Sequence, residues 1–294
     1  MLKVHRGTFS TLSTISTSTF STLSTASTFS TMHSTPGWHG WDDYAPFYDW
    51  ENVRTVGRRD VAFWCDLARG RGGPVLELGC GTGRILAPLA RHAATLAGVD
   101  RSDPMLARAR RRLRRTPRPV LLVRGDITTL PFGDGAFDLV VASYGILQSL
   151  TSERDLRATL SAVHAALRPG GLLGIDLVPD LPRWSEYSRR ASLSGRRGRD
   201  SRITLIESVR QDPRRRLTIF DQEFVERRGR ARRVRRFSLT FRTLSVPQMA
   251  RRLERAGFHV QAVLGDYRGG PWDERADVWV ILAEKLDEGL GTRD

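Results

Sequence analysis

The chain has 294 residues, enough for one large core with a small appended element, and carries a formal net charge of +15 at pH 7. No stretch approaches the roughly 18 consecutive apolar residues of a membrane-spanning helix, and its two cysteines, Cys65 and Cys80, supply neither a disulfide framework nor a metal site. Such a charge ordinarily points to nucleic acid, yet Lys3 and Lys285 are the only lysines, an arginine bias that GC-rich coding also produces.

In chain order, residues 1–37 form a Ser/Thr-rich tract in which Thr-Phe-Ser-Thr-Leu-Ser occurs at 8–13 and again at 19–24. Such a tract buries no core, so it is expected to be disordered and without chemistry, with Met32 as a simpler start than Met1. Residues 38–52 then crowd Trp38, Trp41, Tyr44, Phe47, Tyr48 and Trp50 together with Asp42, Asp43 and Asp49.

The most informative run is Val75-Leu-Glu-Leu-Gly-Cys-Gly-Thr-Gly-Arg84. It predicts a short buried strand ending near Leu78, a sharp turn at Gly79, Cys80 and Gly81, and a helix from about Gly83 with Ile85, Leu86, Leu89 and Ala90 on one face. A strand, a glycine turn and a helix start suggest a nucleotide site, with free N–H groups facing the crevice. Arg84 stands where the dinucleotide fingerprint needs its third glycine, and no Gly-Lys-Ser/Thr follows, so two common nucleotide motifs are absent.

Glu77, two residues before the turn, together with Gly79, Gly81 and Gly83, resembles the first motif of the class I S-adenosylmethionine-dependent methyltransferases. The resemblance extends over roughly residues 44–178 and 246–284. It implies S-adenosyl-L-methionine as cofactor, with Glu77 near the methionyl end and its cationic ammonium. It also implies that Tyr44-Ala-Pro-Phe-Tyr48-Asp49 folds over the cofactor, an aromatic cover whose tyrosine, Tyr48, reaches the methionyl carboxylate. Arg58 or Arg59 is a further candidate partner for that carboxylate.

The next elements follow in the order this family uses. Ala94–Val99 is a second apolar strand ending at Asp100, about 20 residues past the glycines, where a carboxylate can accept both ribose hydroxyls. Pro104-Met105-Leu106 opens an arginine-rich helix, with Met105 placed to lie against adenine. Leu121-Leu-Val123 is a third strand, after which the resemblance assigns the adenine amino group to Asp126 and a ring nitrogen to the Ile127 amide. Phe137–Val141 is a fourth strand with Ser143-Tyr144-Gly145-Ile146 at its carboxyl end, where ligands sit in open α/β sheets. Leu156, Leu160, Val163 and Leu167 mark a helix that ends at Pro169-Gly170-Gly171, and a fifth strand runs from Leu172 to Asp176.

Within 181–244, Ile203–Val209, Leu217–Glu226 and Val234–Phe241 alternate apolar and polar residues, which predicts an antiparallel β insertion at the rim of the site. Trp184, Tyr187 and Arg242 are its candidate acceptor-facing residues. Ser245-Val-Pro-Gln248 is a capping box for a last helix, and Phe258–Leu264 and Ala276–Ala283 supply the final strands within 245–285, leaving 286–294 as a tail.

The expected fold is therefore α/β, with a doubly wound, seven-stranded, mostly parallel sheet occupying 38–180 and 245–285. The resemblance adds an antiparallel last strand next to the fifth. The expected function is methyl transfer to a small-molecule N or O acceptor. An RNA methyltransferase using the arginine-rich insertion and a non-catalytic cofactor-binding protein are the alternatives. Enzymes that methylate base amines often carry Asn/Asp-Pro-Pro-Tyr at the fourth strand, which Ser143–Ile146 lacks. Catalytic candidates near that strand's end are Tyr144 and Gln148, although a neutral amide is no proton acceptor. No metal or membrane partner is implied, and a reducing cytoplasm is the default location.

Overall fold

The computed structural model describes residues 40–55, 59–178, 185–276 and 278–286. The Ser/Thr-rich tract, Trp38, Arg58, Trp184 and residues 287–294 lie outside them. The core is a seven-stranded sheet built from β1 (Val75–Leu78), β2 (Leu96–Asp100), β3 (Leu121–Arg124), β4 (Phe137–Ala142), β5 (Leu167–Leu177), β10 (Phe258–Leu264) and β11 (Trp279–Lys285). Its order is β10-β11-β5-β4-β1-β2-β3. β1 pairs in parallel with both β2 and β4, which makes the gap between the turns after β1 and β4 the topological switch point. β11 runs antiparallel to β5 and β10 antiparallel to β11, as the resemblance implied.

The central strands read as continuous apolar runs because helices cover both faces. Leu76, Leu78, Val140 and Ala142 face one layer, with Leu156, Leu160 and Val163 of α5 (Glu153–Ala166) and Met249 and Leu253 of α6 (Val246–Arg255). Val75, Leu139 and Val141 face the other, against Trp64 of α2 (Val61–Arg71), Leu86 of α3 (Leu86–Leu89) and Leu106 of α4 (Asp103–Leu113). The period of two places Glu77 on this second face, so a carboxylate is buried in an interior strand of the sheet.

The capping box of α6 forms as expected: the Ser245 hydroxyl accepts from the Gln248 amide, and the Gln248 side chain accepts from the Ser245 amide. Ser245→Ala is expected to cost about 1 kcal/mol, read as a lower urea midpoint with an unchanged slope.

Three boundaries differ from the sequence reading. α5 stops at Ala166 and β5 already begins at Leu167, so Pro169-Gly170-Gly171 lies in a strand extension; Arg168 there pairs with Asp138 at 2.6 Å. The last strand starts at Trp279 rather than Ala276. The insertion has four strands, not three: β6 (Tyr187–Arg197), β7 (Ser201–Asp212), β8 (Leu217–Arg228) and β9 (Ala231–Arg242), hydrogen-bonded in that order. β6 is an edge strand of mostly arginine, serine and glycine, and its side chains are largely exposed, so it carries no apolar alternation to find.

The inner face of this sheet packs on α1 (Trp41–Thr55). Phe47 stacks on Phe224 at 4.2 Å between ring centroids, and Tyr44 lies 5.5 Å from Phe237. Ile203, Leu205 and Leu239 complete a third apolar cluster with them. The aromatic segment is thus a helix held by the insertion and laid across the switch point.

Candidate functional site

After β1 the chain turns through Gly79 at φ 59° and Gly81 at φ 51°, conformations that side chains disfavour. A Cβ on Gly79 would lie 2.4 Å from Ile146 Cδ1, whereas one on Gly81 would meet nothing closer than the Gly79 oxygen at 3.9 Å. Gly81 therefore keeps the backbone open on the side where a ligand approaches. The helix expected from Gly83 does not form there. Gly83 is itself left-handed, at φ 73°, turns continue to Ile85, and α3 is four residues long. The Gly81 amide does not point freely into a crevice either, because it donates to Asp100 Oδ2 at 2.8 Å.

Over this turn lies a cavity of about 520 Å³, within the usual range for small-molecule sites. Glu77, Gly79, Cys80, Gly81 and Ser143 line it where β1 and β4 end, and Asp100, Met105, Asp126 and Ile127 line it on the side of β2 and β3. Tyr48 and Trp41 of α1 and Phe241 of β9 form its cover, with Tyr144 beside them. Burial pushes the Cys80 thiol well above its ordinary pKa, so it acts as a small packing residue and not as a nucleophile.

Electrostatics differ sharply between these two sides. Burial pushes the Glu77 carboxyl up to about 8, against the pull of nearby Arg84 and a hydrogen bond from Ser143 Oγ at 3.3 Å. Its second oxygen, Oε2, is buried with no hydrogen-bond partner among the described residues. Arg84 also lines the cavity and donates both guanidinium nitrogens to Asp60, at 2.7 and 2.6 Å. Burial works against the Arg84 charge, but the hydrogen bonds to fully buried Asp60 hold its pKa above the ordinary value. The guanidinium also lies 5.4 Å from the centre of the Tyr144 ring, and its charge pulls the Tyr48 hydroxyl's pKa down against the larger upward push of burial.

On the side of β2 and β3, Asp100 accepts from Gly81 N through Oδ2 and from Ser102 N through Oδ1, both at 2.8 Å, which leaves a further lone pair on each oxygen. Asp126 Oδ1 accepts from Thr128 N at 3.0 Å, and Oδ2 lies 3.2 Å from Arg101. Met105 and Ile127 are buried apolar walls.

Tyr144 has φ 63°, a strained conformation for a bulky residue, and Gly145 follows at φ 65°. Both backbone amides donate to Asp176, Gly145 at 2.8 Å, and the Tyr267 hydroxyl donates to the other Asp176 oxygen at 2.8 Å. This buried carboxylate, pushed up to about 6 by desolvation, holds the strained turn and aims Tyr144 at the cavity.

Gln148 is corrected as a catalytic candidate. It is fully buried, donates to the Val178 oxygen at 3.0 Å and accepts from the Val178 amide at 2.9 Å, so it ties the turn to the end of β5 and does not line the cavity. Arg59 is exposed and does not line the cavity; the cation that lines it near Glu77 is Arg84. Sequence reasoning used Arg84 only as a missing glycine, although a cation so close to a ligand-facing glycine turn was a usable signal. Asp49, expected in the cover segment, has partners the sequence does not show: it accepts from Thr82 Oγ1 in the turn and pairs with Arg112 of α4, both at 2.8 Å, pinning the cover helix to the site.

Comparison with known proteins bears on this geometry. A methyltransferase-domain family matches residues 75–171, from β1 into β5. The chain is 32% identical over 189 residues to a demethylmenaquinone methyltransferase of Paenarthrobacter aurescens, covering 58% of this chain and 70% of that one. It is 28% identical over 214 residues to a cypemycin N-terminal methyltransferase from Streptomyces, covering 73% and 84%. Two other curated methyltransferases are matched over only about half of their length, 49% in each case. Among solved structures, an S-adenosylmethionine-dependent methyltransferase from Clostridium acetobutylicum superposes with a TM-score of 0.71 at 17% identity, over 83% of this chain and all of that one, a likeness of fold. With that fold, a buried carboxylate before the glycine turn and an acidic residue closing β2, the chain belongs to the class I S-adenosylmethionine-dependent methyltransferases.

Proposed function

We propose that this protein transfers a methyl group from S-adenosylmethionine to an N or O atom of a small-molecule acceptor. The observation that carries the reading is Glu77 Oε2, unpartnered among the described residues and buried on one side of a cavity whose other side holds Asp100 and Asp126. A ligand with an ammonium at one end and a nucleoside at the other suits that distribution. Glu77 would take the ammonium, Arg84 and Tyr48 the methionyl carboxylate, and Asp100 the ribose hydroxyls. Met105 and Ile127 would flank the adenine, with Asp126 at its amino group. Cys80 and Ser143 complete the wall.

When bound, the cofactor supplies an electrophilic methyl on a sulfonium whose leaving thioether is neutral. The protein's part is then alignment and exclusion of water. α1 and Phe241 close the cavity from above, and the turn held by Asp176 presents Tyr144. Burial holds the Tyr144 hydroxyl well above its ordinary pKa, so it serves as a neutral hydrogen-bonding group that orients the acceptor and not as a base. The two named relatives act on different acceptors, an N terminus of cypemycin and a demethylmenaquinone, so what supports the small-molecule class is the size and cover of the cavity. We place the protein in the cytoplasm, in keeping with cysteines that are both buried thiols.

Calorimetric titration with S-adenosylhomocysteine tests the donor side: Asp100→Ala is expected to weaken binding about 10- to 100-fold, the range for hydrogen bonds to a charged group. Unchanged affinity would remove the assignment. Labelled methyl transfer to a panel of small amines and alcohols tests the acceptor side, and transfer to RNA alone would overturn it.

A further inference from the structure

The insertion carries four arginines in one cross-strand row. Arg196 of β6 is opposite Arg202 of β7, Arg202 is opposite Arg227 of β8, and Arg227 is opposite Arg232 of β9. Directly opposed residues share a face of the sheet. Ile203, next to Arg202, is buried toward α1, so the row lies on the outer face, and all four arginines are exposed. Strands lie about 4.8 Å apart, which spreads the row over about 14 Å.

Like charges directly opposite one another destabilise a ladder. Among the described residues none of the four forms an ion pair, and the neighbouring carboxylates are committed elsewhere. Glu223 pairs with Arg189 and Arg236, Asp221 with Arg210, Glu226 with Arg197, and Asp200 with Arg228. The two hairpin tips at this end add exposed Arg199 and Arg230.

We infer that this row is a docking face for the phosphate backbone of duplex RNA. Guanidinium forks match phosphate oxygens, and a duplex presents one charge per about 1.7 Å of axis, enough to engage the whole row. The exposed large apolar residues among those described are Val53, Leu121 and Leu286, none of them aromatic and none in the insertion. The face therefore has no platform for stacking unpaired bases and no anchor for a lipid surface. Recognition by phosphates and helix shape, without base readout, is how A-form duplexes are bound. The face is separate from the cavity: Phe241 lines the cavity nine residues along β9 from Arg232, about 30 Å of strand. It holds the protein on RNA and leaves the acceptor pocket free.

The test is fluorescence anisotropy of a labelled 20-base-pair RNA duplex with the full chain between 50 and 300 mM salt. Four phosphate contacts predict a log–log slope of about −3.5, and Arg202→Gln with Arg227→Gln should flatten it by about 1.8. The double lysine variant should restore most of the slope, and S-adenosylhomocysteine binding should match wild type in both variants, which reports correct folding. A slope shallower than about −1, a slope unaffected by the glutamine pair, or equal affinity for a DNA duplex of the same sequence would each overturn the inference. So would tighter binding to phosphatidylserine vesicles that is lost in the same variants.

Discussion

Asp60→Ala is expected to remove about 3–5 kcal/mol of stability and to abolish measurable donor binding, the largest effect of any single change at this site. Asp60 has no exposed surface and the Arg84 side chain is only 12% exposed, so removal of the carboxylate leaves a buried guanidinium without its hydrogen-bonded counter-charge. The pair is bidentate, which fixes the guanidinium plane beside Tyr48 and Tyr144, and its loss displaces the cation from the cavity wall. Urea unfolding and calorimetry together read both consequences. The double variant Asp60→Ala, Arg84→Met should regain most of the stability, because no unpaired buried charge remains, while donor binding stays lost. A double variant as unstable as the single one would show that Asp60 acts through something other than Arg84.

Glu77→Gln should do the opposite to stability: the ligand-free protein becomes more stable at pH 8 while donor affinity falls about 10- to 100-fold. The Glu77 carboxyl is raised from 4.5 to about 8 in the folded chain, mainly by burial. The folded state therefore keeps a proton that the unfolded state releases between those values. Stability of the wild type falls as pH rises from about 4.5 to 8, by an amount on the order of a few kcal/mol, and the glutamine variant lacks this slope. A cationic ligand group beside Glu77 favours the ionised form, so donor binding to wild type should release a proton and tighten toward pH 8. Calorimetry in two buffers of different ionisation enthalpy detects that proton. If no proton is released below pH 8, Glu77 does not face the ammonium. The protein thus spends stability on a carboxylate buried in an interior strand of its sheet.

Much of the cavity lining was legible in the chain itself because it is local. A buried strand, a glycine turn that requires positive φ, and a carboxylate at the end of the next strand are each specified within a few residues, and parallel crossovers bring successive strand ends to one edge. Tyr48, Glu77, Gly79, Cys80, Gly81, Asp100, Met105, Asp126, Ile127, Ser143 and Tyr144 accordingly line one cavity. The helix after the turn was misjudged for a local reason, the left-handed Gly83.

What the chain could not reveal depends on pairs distant in sequence. Asp60 and Arg84 stand 24 residues apart, and neither has a periodic pattern that announces the other. The same holds for Asp49 with Thr82, and for Gln148 with Val178, whose backbone bonds consume the amide that looked available for chemistry. The arginine row emerges only from strand register, since a one-residue slip would turn each strand's arginine to the other face. Composition by itself determined that the protein is basic and arginine-rich, and local pattern determined its fold and much of its cavity lining. Among the described residues, the tertiary structure decided which charges are buried in pairs, which one is left unpartnered in the cavity, and which stand together on the surface. Those outcomes depend on burial and on distances between remote residues, and neither is a local property of sequence.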